Sequence, residues 1–433
     1  MNLEQTFTRF LILLLVGAPA LAGEDLAEVV RRQGERIQEL TSEVTRLRAD
    51  RGSALRDEVE EYLEAVRTDP AWREAEGGGG GAVGRVRVSG YVSLEFRDDG
   101  DGKRMEFDFR RLVPKIQADV AEGIVFETEI EIEGGGAGVD FLSDSEILVE
   151  YAELRFEVFD EIFTFKVGAL LVGWGRFNKL HDDPLNDLTD RPEVSLRLGA
   201  VVFDQPGVGA EGTLDLGRGW FFDYDVALVQ GFDEGISSNN GVRDGRQSFR
   251  SDNNENKQLF WRFVLSVPAR GLDALEIGHS GTVGKYDDAG RHSVTGFAFD
   301  LFVKKGRFEL VAETMNLRFE RDAAAPLTDP RRMDGWYVEA RVHFFPEALR
   351  GRHRFFNDES TFTFVVRIER LDLNHSTTGA AFRDDLDQVV VGINFRPVER
   401  TVIKIDYTFV DSAEAGFRSG SADRFTISWA SFF

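Results

Sequence analysis

The stretch Ile124-Val125-Phe126-Glu127-Thr128-Glu129-Ile130-Glu131-Ile132-Glu133 sets Ile, Phe, Thr, Ile and Ile on one set of alternate positions and, after Val125, glutamates on the other. Successive side chains of a strand point to opposite faces, so this pattern predicts a β-strand with one apolar and one wet face. The same period of two returns at Leu259-Trp261-Phe263-Leu265-Val267, Trp336-Val338-Ala340-Val342-Phe344, Phe362-Phe364-Val366-Ile368, Val389-Val391-Ile393-Phe395 and Ile403-Ile405-Tyr407-Phe409. No helical period appears among them.

Working outward, sixteen such strands fit residues 85–433, beginning near 86, 104, 123, 146, 161, 198, 220, 257, 272, 292, 307, 334, 361, 387, 400 and 422. Their connections alternate in length. Short ones fall at Ala121-Glu122-Gly123, Phe159-Asp160, Gly217-Arg218-Gly219, Pro268 to Gly271 and Pro397-Val398-Glu399, and long polar ones at Gly134 to Ser145, Trp174 to Arg197, Phe232 to Asn256 and Asp372 to Asp385. One rim of short turns and one of long loops is the asymmetry of bacterial outer-membrane barrels. Pro346 to Asn357 is the exception, a long connection on the expected turn side. The last residues, Arg424-Phe425-Thr426-Ile427-Ser428-Trp429-Ala430-Ser431-Phe432-Phe433, alternate again and end on Phe, which resembles the terminal strand by which outer-membrane proteins are recognised for insertion.

Composition points the same way. The 433 residues carry 52 Lys and Arg against 76 Asp and Glu, a net charge of −24, with 37 Phe, 44 Gly and no Cys. The absence of cysteine excludes a disulfide framework, a zinc knuckle and a thiol nucleophile. Such an acidic balance argues against a nucleic-acid partner, which needs a clustered cationic surface. A Phe-rich, Gly-rich, acidic chain is ordinary for an outer-membrane barrel.

Ahead of the barrel the chain changes character three times. Residues 1–22 read as a secretory signal peptide, with Arg9, an apolar run from Phe10 to Val16 and a small-x-small site at Ala20-Leu21-Ala22. Residues 23–76 read as a periplasmic coiled-coil helix, with Val30, Ile37 and Val44 at one seam position and Leu26, Leu40 and Leu47 at the other. Residues 77–84 begin with five glycines and read as a flexible linker.

Catalytic patterns find no support. The six histidines never form His-Glu-x-x-His and no Gly-x-Ser-x-Gly elbow exists. Asp98-Asp99-Gly100-Asp101-Gly102 places Arg97 at the first ligand position of an EF-hand, so a strand-end turn is the better reading.

The stretch Phe165-Lys166-Val167-Gly168-Ala169-Leu170-Leu171-Val172-Gly173-Trp174-Gly175-Arg176-Phe177-Asn178, with His181-Asp182-Asp183-Pro184-Leu185-Asn186-Asp187-Leu188-Thr189-Asp190-Arg191-Pro192 and Phe109-Arg110-Arg111, resembles the phosphate-selective porin (O and P) family. The resemblance covers the barrel and implies a sixteen-stranded trimeric porin. It also implies that the loop joining the fifth and sixth strands folds into the lumen as a constriction, where Arg176, His181, Asp182, Asp183, Asp187, Asp190 and Arg191 would face solute. An ordinary external loop and an oxygen-rich Ca²⁺ site are the alternatives at these residues.

Alternation assigns Arg110, Arg155, Lys166, Arg262, Arg307, Arg341, Arg367 and Lys404 to the lumen, together with Glu127, Glu129, Glu131, Glu133, Glu153, Glu157, Glu309, Glu313, Glu339, Glu369 and Asp406. An anion pore is lined by Arg and Lys, a cation pore by Asp and Glu, and this list is mixed. The sequence therefore predicts an all-β transmembrane barrel acting as a porin for small polar or ionic solutes, phosphate among them by resemblance, with no cofactor, no metal and no enzymatic activity. Its expected partners are outer-membrane lipid, two further copies of itself and, through the coiled coil, peptidoglycan. The alternative is a structural anchor that tethers the coiled coil to the cell wall.

Overall fold

The computed structural model describes residues 86–98, 106–134, 145–159, 161–323, 325–326, 329–375, 385–412 and 423–433. The expected signal peptide, coiled coil, glycine linker and the turn after Asp98 lie outside these residues.

Alternating apolar and polar residues form strands wherever the sequence shows them. β1 (Val86–Asp98), β2 (Glu106–Ala121), β3 (Ile124–Gly134), β4 (Ser145–Phe159) and β5 (Phe163–Leu171) come first. β6 (Asp204–Gly217), β7 (Trp220–Val229), β8 (Gln258–Ser266), β9 (Ala274–Lys285), β10 (Ser293–Lys305) and β11 (Phe308–Phe319) follow. β12 (Arg332–Phe344), β13 (Thr361–Asp372), β14 (Asp385–Val398), β15 (Thr401–Ser412) and β16 (Arg424–Phe432) complete the set. Each pairs antiparallel with its neighbours in sequence, and β1 pairs with β16 from Tyr91↔Phe432 to Asp98↔Phe425, so the sheet closes on itself. Closure leaves no unpaired edge, the condition a strand structure must meet in hydrocarbon. Among the described residues no helix is long and apolar enough to cross a membrane.

The outer face carries the apolar series. On β13, Phe364 and Ile368 are exposed while Thr363, Val365, Arg367, Glu369 and Leu371 are buried. On β15, Ile403, Ile405, Tyr407 and Phe409 are exposed while Val402, Lys404, Asp406 and Thr408 are buried. Exposed Phe, Ile and Tyr beside buried Arg, Lys and Asp invert the distribution of a water-soluble protein and match a wall facing lipid. Connections after even-numbered strands are short turns, apart from residues 345–360, which contain a 3₁₀ turn at Glu347–Leu349.

One strand starts late. The apolar run Leu198-Gly-Ala-Val-Val-Phe203 reads as the beginning of the sixth strand, whereas β6 begins at Asp204. Residues Glu193–Arg197 instead form a short helix, α1, and Leu198 donates its N–H to the Val194 carbonyl at 2.8 Å. Leu198, Ala200, Val201 and Phe203 are buried. Leu198, Ala200 and Phe203 are buried inside the barrel in one apolar cluster with Trp174, Phe232, Phe260, Met315 and Leu317. Part of the interior is therefore a packed core, where alternation alone suggests a polar lumen.

Candidate functional site

The connection between β5 and β6, residues 172–203, turns inward. Gly175 adopts a φ of 74°, a left-handed conformation that costs glycine nothing, and an added Cβ there would lie 2.1 Å from Met315. Its N–H donates to Ser280 Oγ on β9 at 3.2 Å, and the next N–H, of Arg176, donates to Glu313 on β11 at 2.7 Å. Asn178 fixes the fold of the segment: its amide donates to the Val172 and Phe203 carbonyls at 2.6 and 3.1 Å and accepts from the Phe203 N–H at 3.0 Å.

From there the expected constriction residues meet the wall one after another. Arg176 pairs with Glu276 on β9 at 2.7 Å. His181 faces Glu150 on β4 at 3.4 Å and Asp182 at 3.6 Å. Asp183 accepts from Ser93 on β1 at 2.7 Å and lies 3.6 Å from Arg111 on β2, while its carbonyl accepts from Lys404 on β15 at 2.7 Å. Asp187 accepts from Asn394 and Arg396 on β14, both at 3.0 Å, and lies 3.4 Å from Arg341 on β12. Asp190 joins Arg97 on β1 at 3.2 Å to Arg424 on β16, and its carbonyl accepts from Arg367 on β13 at 3.0 Å. Backbone donors contribute as well: Thr189 N–H to Asp406 at 2.7 Å and Glu193 N–H to Glu369 at 2.6 Å. Two Arg191 side-chain nitrogens are buried without a hydrogen-bond partner.

The wall residues read from alternation pair with one another. Arg155 pairs with Glu153 at 2.8 Å and with Glu211. Lys166 reaches Glu211 at 2.7 Å and Asp225 at 3.0 Å. Arg262 holds both oxygens of Asp300, at 2.6 and 2.9 Å. Arg367 lies 3.0 Å from Glu369 and 3.4 Å from Glu339, Arg341 pairs with Glu339, and Glu127 takes Lys115 at 2.7 Å. Glu129 is buried beside the His181 and Glu150 pair. Arg110 pairs with Glu95. Arg307 departs from the expectation: it is exposed in the turn between β10 and β11, its guanidinium over the Phe308 ring, because β11 begins one residue later.

Several partners escape strict alternation. Arg111 reaches Glu131 at 2.8 Å and Glu133 at 2.7 Å on the same side as Arg110, because the β1–β2 register shifts between Ser93 and Glu95 and leaves one extra residue on β2. A bulge of this kind re-aims a side chain that the period of two would point outward. Asp300 sits between Phe297-Ala298-Phe299 and Leu301-Phe302, apolar on both faces, so no wet face announces it, whereas Asp225 belongs to the alternating Phe222-Asp223-Tyr224-Asp225-Val226 and its wet face is readable in the sequence.

Most of these interior cations and anions are thus paired with one another, Lys404 on backbone carbonyls being an exception. Burial opposes ionisation of Asp187, but the Arg341 and Arg396 guanidinium groups overcome it and hold the carboxyl below the usual carboxylate range. Space remains beside these pairs: a cavity of about 500 Å³ is lined by Arg155, Lys179, Glu211, Asp225 and Arg262, and one of about 190 Å³ by Arg176, Phe302, Tyr337 and Arg341.

No family model matches the sequence. A protein of Aquifex aeolicus (strain VF5) described as uncharacterized is 24% identical over 370 residues, 79% of either chain. Among solved structures, an anion-selective porin from Comamonas acidovorans is 12% identical, with 81% of this chain and 99% of that one covered and a TM-score of 0.51. Salmonella typhi OmpF in complex with daunomycin is 10% identical, with 81% and 98% covered and a TM-score of 0.50. At these identities the likeness is one of fold, and the fold is the closed sixteen-stranded antiparallel barrel of outer-membrane porins.

Proposed function

We propose that this chain is an outer-membrane porin that lets small polar or ionic solutes diffuse passively, as a trimer, through barrels narrowed by residues 172–203. The observation that carries this reading is a closed barrel with an apolar outer belt, a charged interior and a long connection turned into that interior. Side chains of both signs across a narrow bore set up a transverse field that orders water and favours small hydrated solutes over apolar ones. Because the wall arginines, Lys115 and Lys166 already have anionic partners, the described lining offers no ladder of free cations, and weak charge preference follows. Phosphate selectivity rests on the family resemblance alone.

Planar-bilayer recording of the purified, refolded mature protein under a KCl gradient tests the reading. Current steps in threes with weak selectivity support a general-diffusion trimer, and a strong anion preference blocked by phosphate would favour the phosphate-selective family. Folded protein that gives no current would overturn the porin reading.

A second reading, a sealed anchor for the coiled coil, is favoured by the packed apolar cluster that occupies part of the interior. Removing residues 24–81 separates the two: a porin keeps its conductance, whereas an anchor loses its envelope function.

A further inference from the structure

Three ligand atoms from Glu129, Glu150 and His181 lie within 4.8 Å of one another, and all three residues are at least nine-tenths buried. They come together for a local reason. The β3–β4 register shifts where Glu129 pairs with Tyr151 and Ile130 with Val149, so Glu150 is the extra residue and turns its carboxylate to the same face as Glu129. His181 is brought to them by the inward segment.

The hydrogen bonds fix what His181 presents. Its Nδ1 lies 2.8 Å from the Asn178 carbonyl, an acceptor with no proton of its own, so Nδ1 carries the N–H. In the neutral ring, Nε2 is then a lone pair aimed at Glu150 Oε2, 3.4 Å away. A protonated imidazole donating to a carboxylate closes to about 2.7–2.9 Å. A tetrahedral ion about 2.0–2.2 Å from its ligands instead separates them by about 3.4 Å. The other oxygen of Glu150, Oε1, is buried and has no hydrogen-bond partner. Asp182 Oδ1 lies 3.6 Å from Nε2 and adds a further anionic oxygen.

We propose that Glu129, Glu150 and His181 bind a divalent transition-metal ion, with Zn²⁺ as the fitting probe, which staples the inward segment to the β3–β4 wall. One imidazole and two carboxylates suit such an ion better than Ca²⁺, which takes six to eight oxygens. The Nδ1–H bond to a carbonyl is the outer contact that orients metal-bound histidines, and the buried Asn178 side chain holds that carbonyl in place.

The test uses refolded full-length mature protein, stripped with EDTA, loaded with ZnCl₂, gel-filtered and assayed by inductively coupled plasma mass spectrometry. The expected result is about one Zn²⁺ per chain, a roughly tenfold or greater loss of affinity in His181→Ala and in Glu150→Gln, and full retention in His353→Ala at the exposed β12–β13 connection. Zinc should also shift the emission of tryptophan and slow proteolysis within residues 172–203. Heat-modifiable migration on gels identifies folded variants, and Glu129→Gln serves if His181→Ala does not fold. Folded wild-type protein without zinc, variants that keep it, or displacement of zinc by a comparable concentration of Ca²⁺ would overturn the proposal.

Discussion

Asp187 and Arg396 meet at 3.0 Å although 209 residues separate them in sequence. Asp187 lies on the segment that leaves the wall between β5 and β6, whereas Arg396 lies on β14, half a ring away from β6 in the closed strand order. The contact therefore carries the segment across the bore, and its neighbours from Ser93 to Ser428 hold the crossing from other sides.

Asp187→Ala removes the shared partner of Arg341 and Arg396: Arg341 keeps Glu339, whereas Arg396 loses its carboxylate. Breaking a buried pair from one side costs about 3 kcal/mol or more, a factor of roughly a hundred in the docked-to-free ratio of the segment. Single-channel recording should show larger and noisier current steps with unchanged barrel folding. Currents identical to wild type would mean that the segment does not limit flow.

Acid should undo the same contact late. The Asp187 carboxyl is held below its usual range, so its folded value lies below its unfolded one. The stabilisation is then complete above the ordinary carboxylate value of about 3.9 and is lost as pH falls through the folded value. Conductance measured from pH 7 downward should stay level to about pH 4 and rise only below it. A rise centred at pH 6 would assign the gating to another group.

Arg262 makes two parallel bonds to Asp300, and both side chains are buried. Arg262→Ala leaves a buried carboxylate and should cost about 3–5 kcal/mol in urea unfolding from lipid vesicles. Arg262→Lys should recover less than half of the loss, because an ammonium cannot reproduce the planar fork. Full recovery by lysine would reduce the contact to simple charge pairing.

Val366 lies midway along β13 between the outward-facing Phe364 and Ile368. Val366→Arg should destabilise insertion by about 2–4 kcal/mol, the cost of a cation at the bilayer midplane. Folding yield into vesicles measures it, and an unchanged yield would place this face against protein or water.

Most of the barrel was legible because the solvent on each side of the wall imposes a period of two on the residues themselves. The Ile124 to Glu133 stretch and the Phe362 to Ile368 series could be assigned to faces without knowing their neighbours. Where both faces are apolar, as around Asp300, the period disappears and the interior charge stays hidden. Where the register slips, as at Arg111 and Glu150, the period points the wrong way.

The sequence by itself determined the strand number, the order of short and long connections, the outward face and the acidic, cysteine-free character of the chain, because each depends on local alternation and composition. Tertiary structure alone decided that Leu198 to Phe203 is packed core and not strand, that Asp187 finds Arg396, and that Glu129, Glu150 and His181 converge. None of these is encoded by the local period of two: the first two need the chain to fold back into the closed ring, and the third needs a register slip between β3 and β4 together with the inward segment.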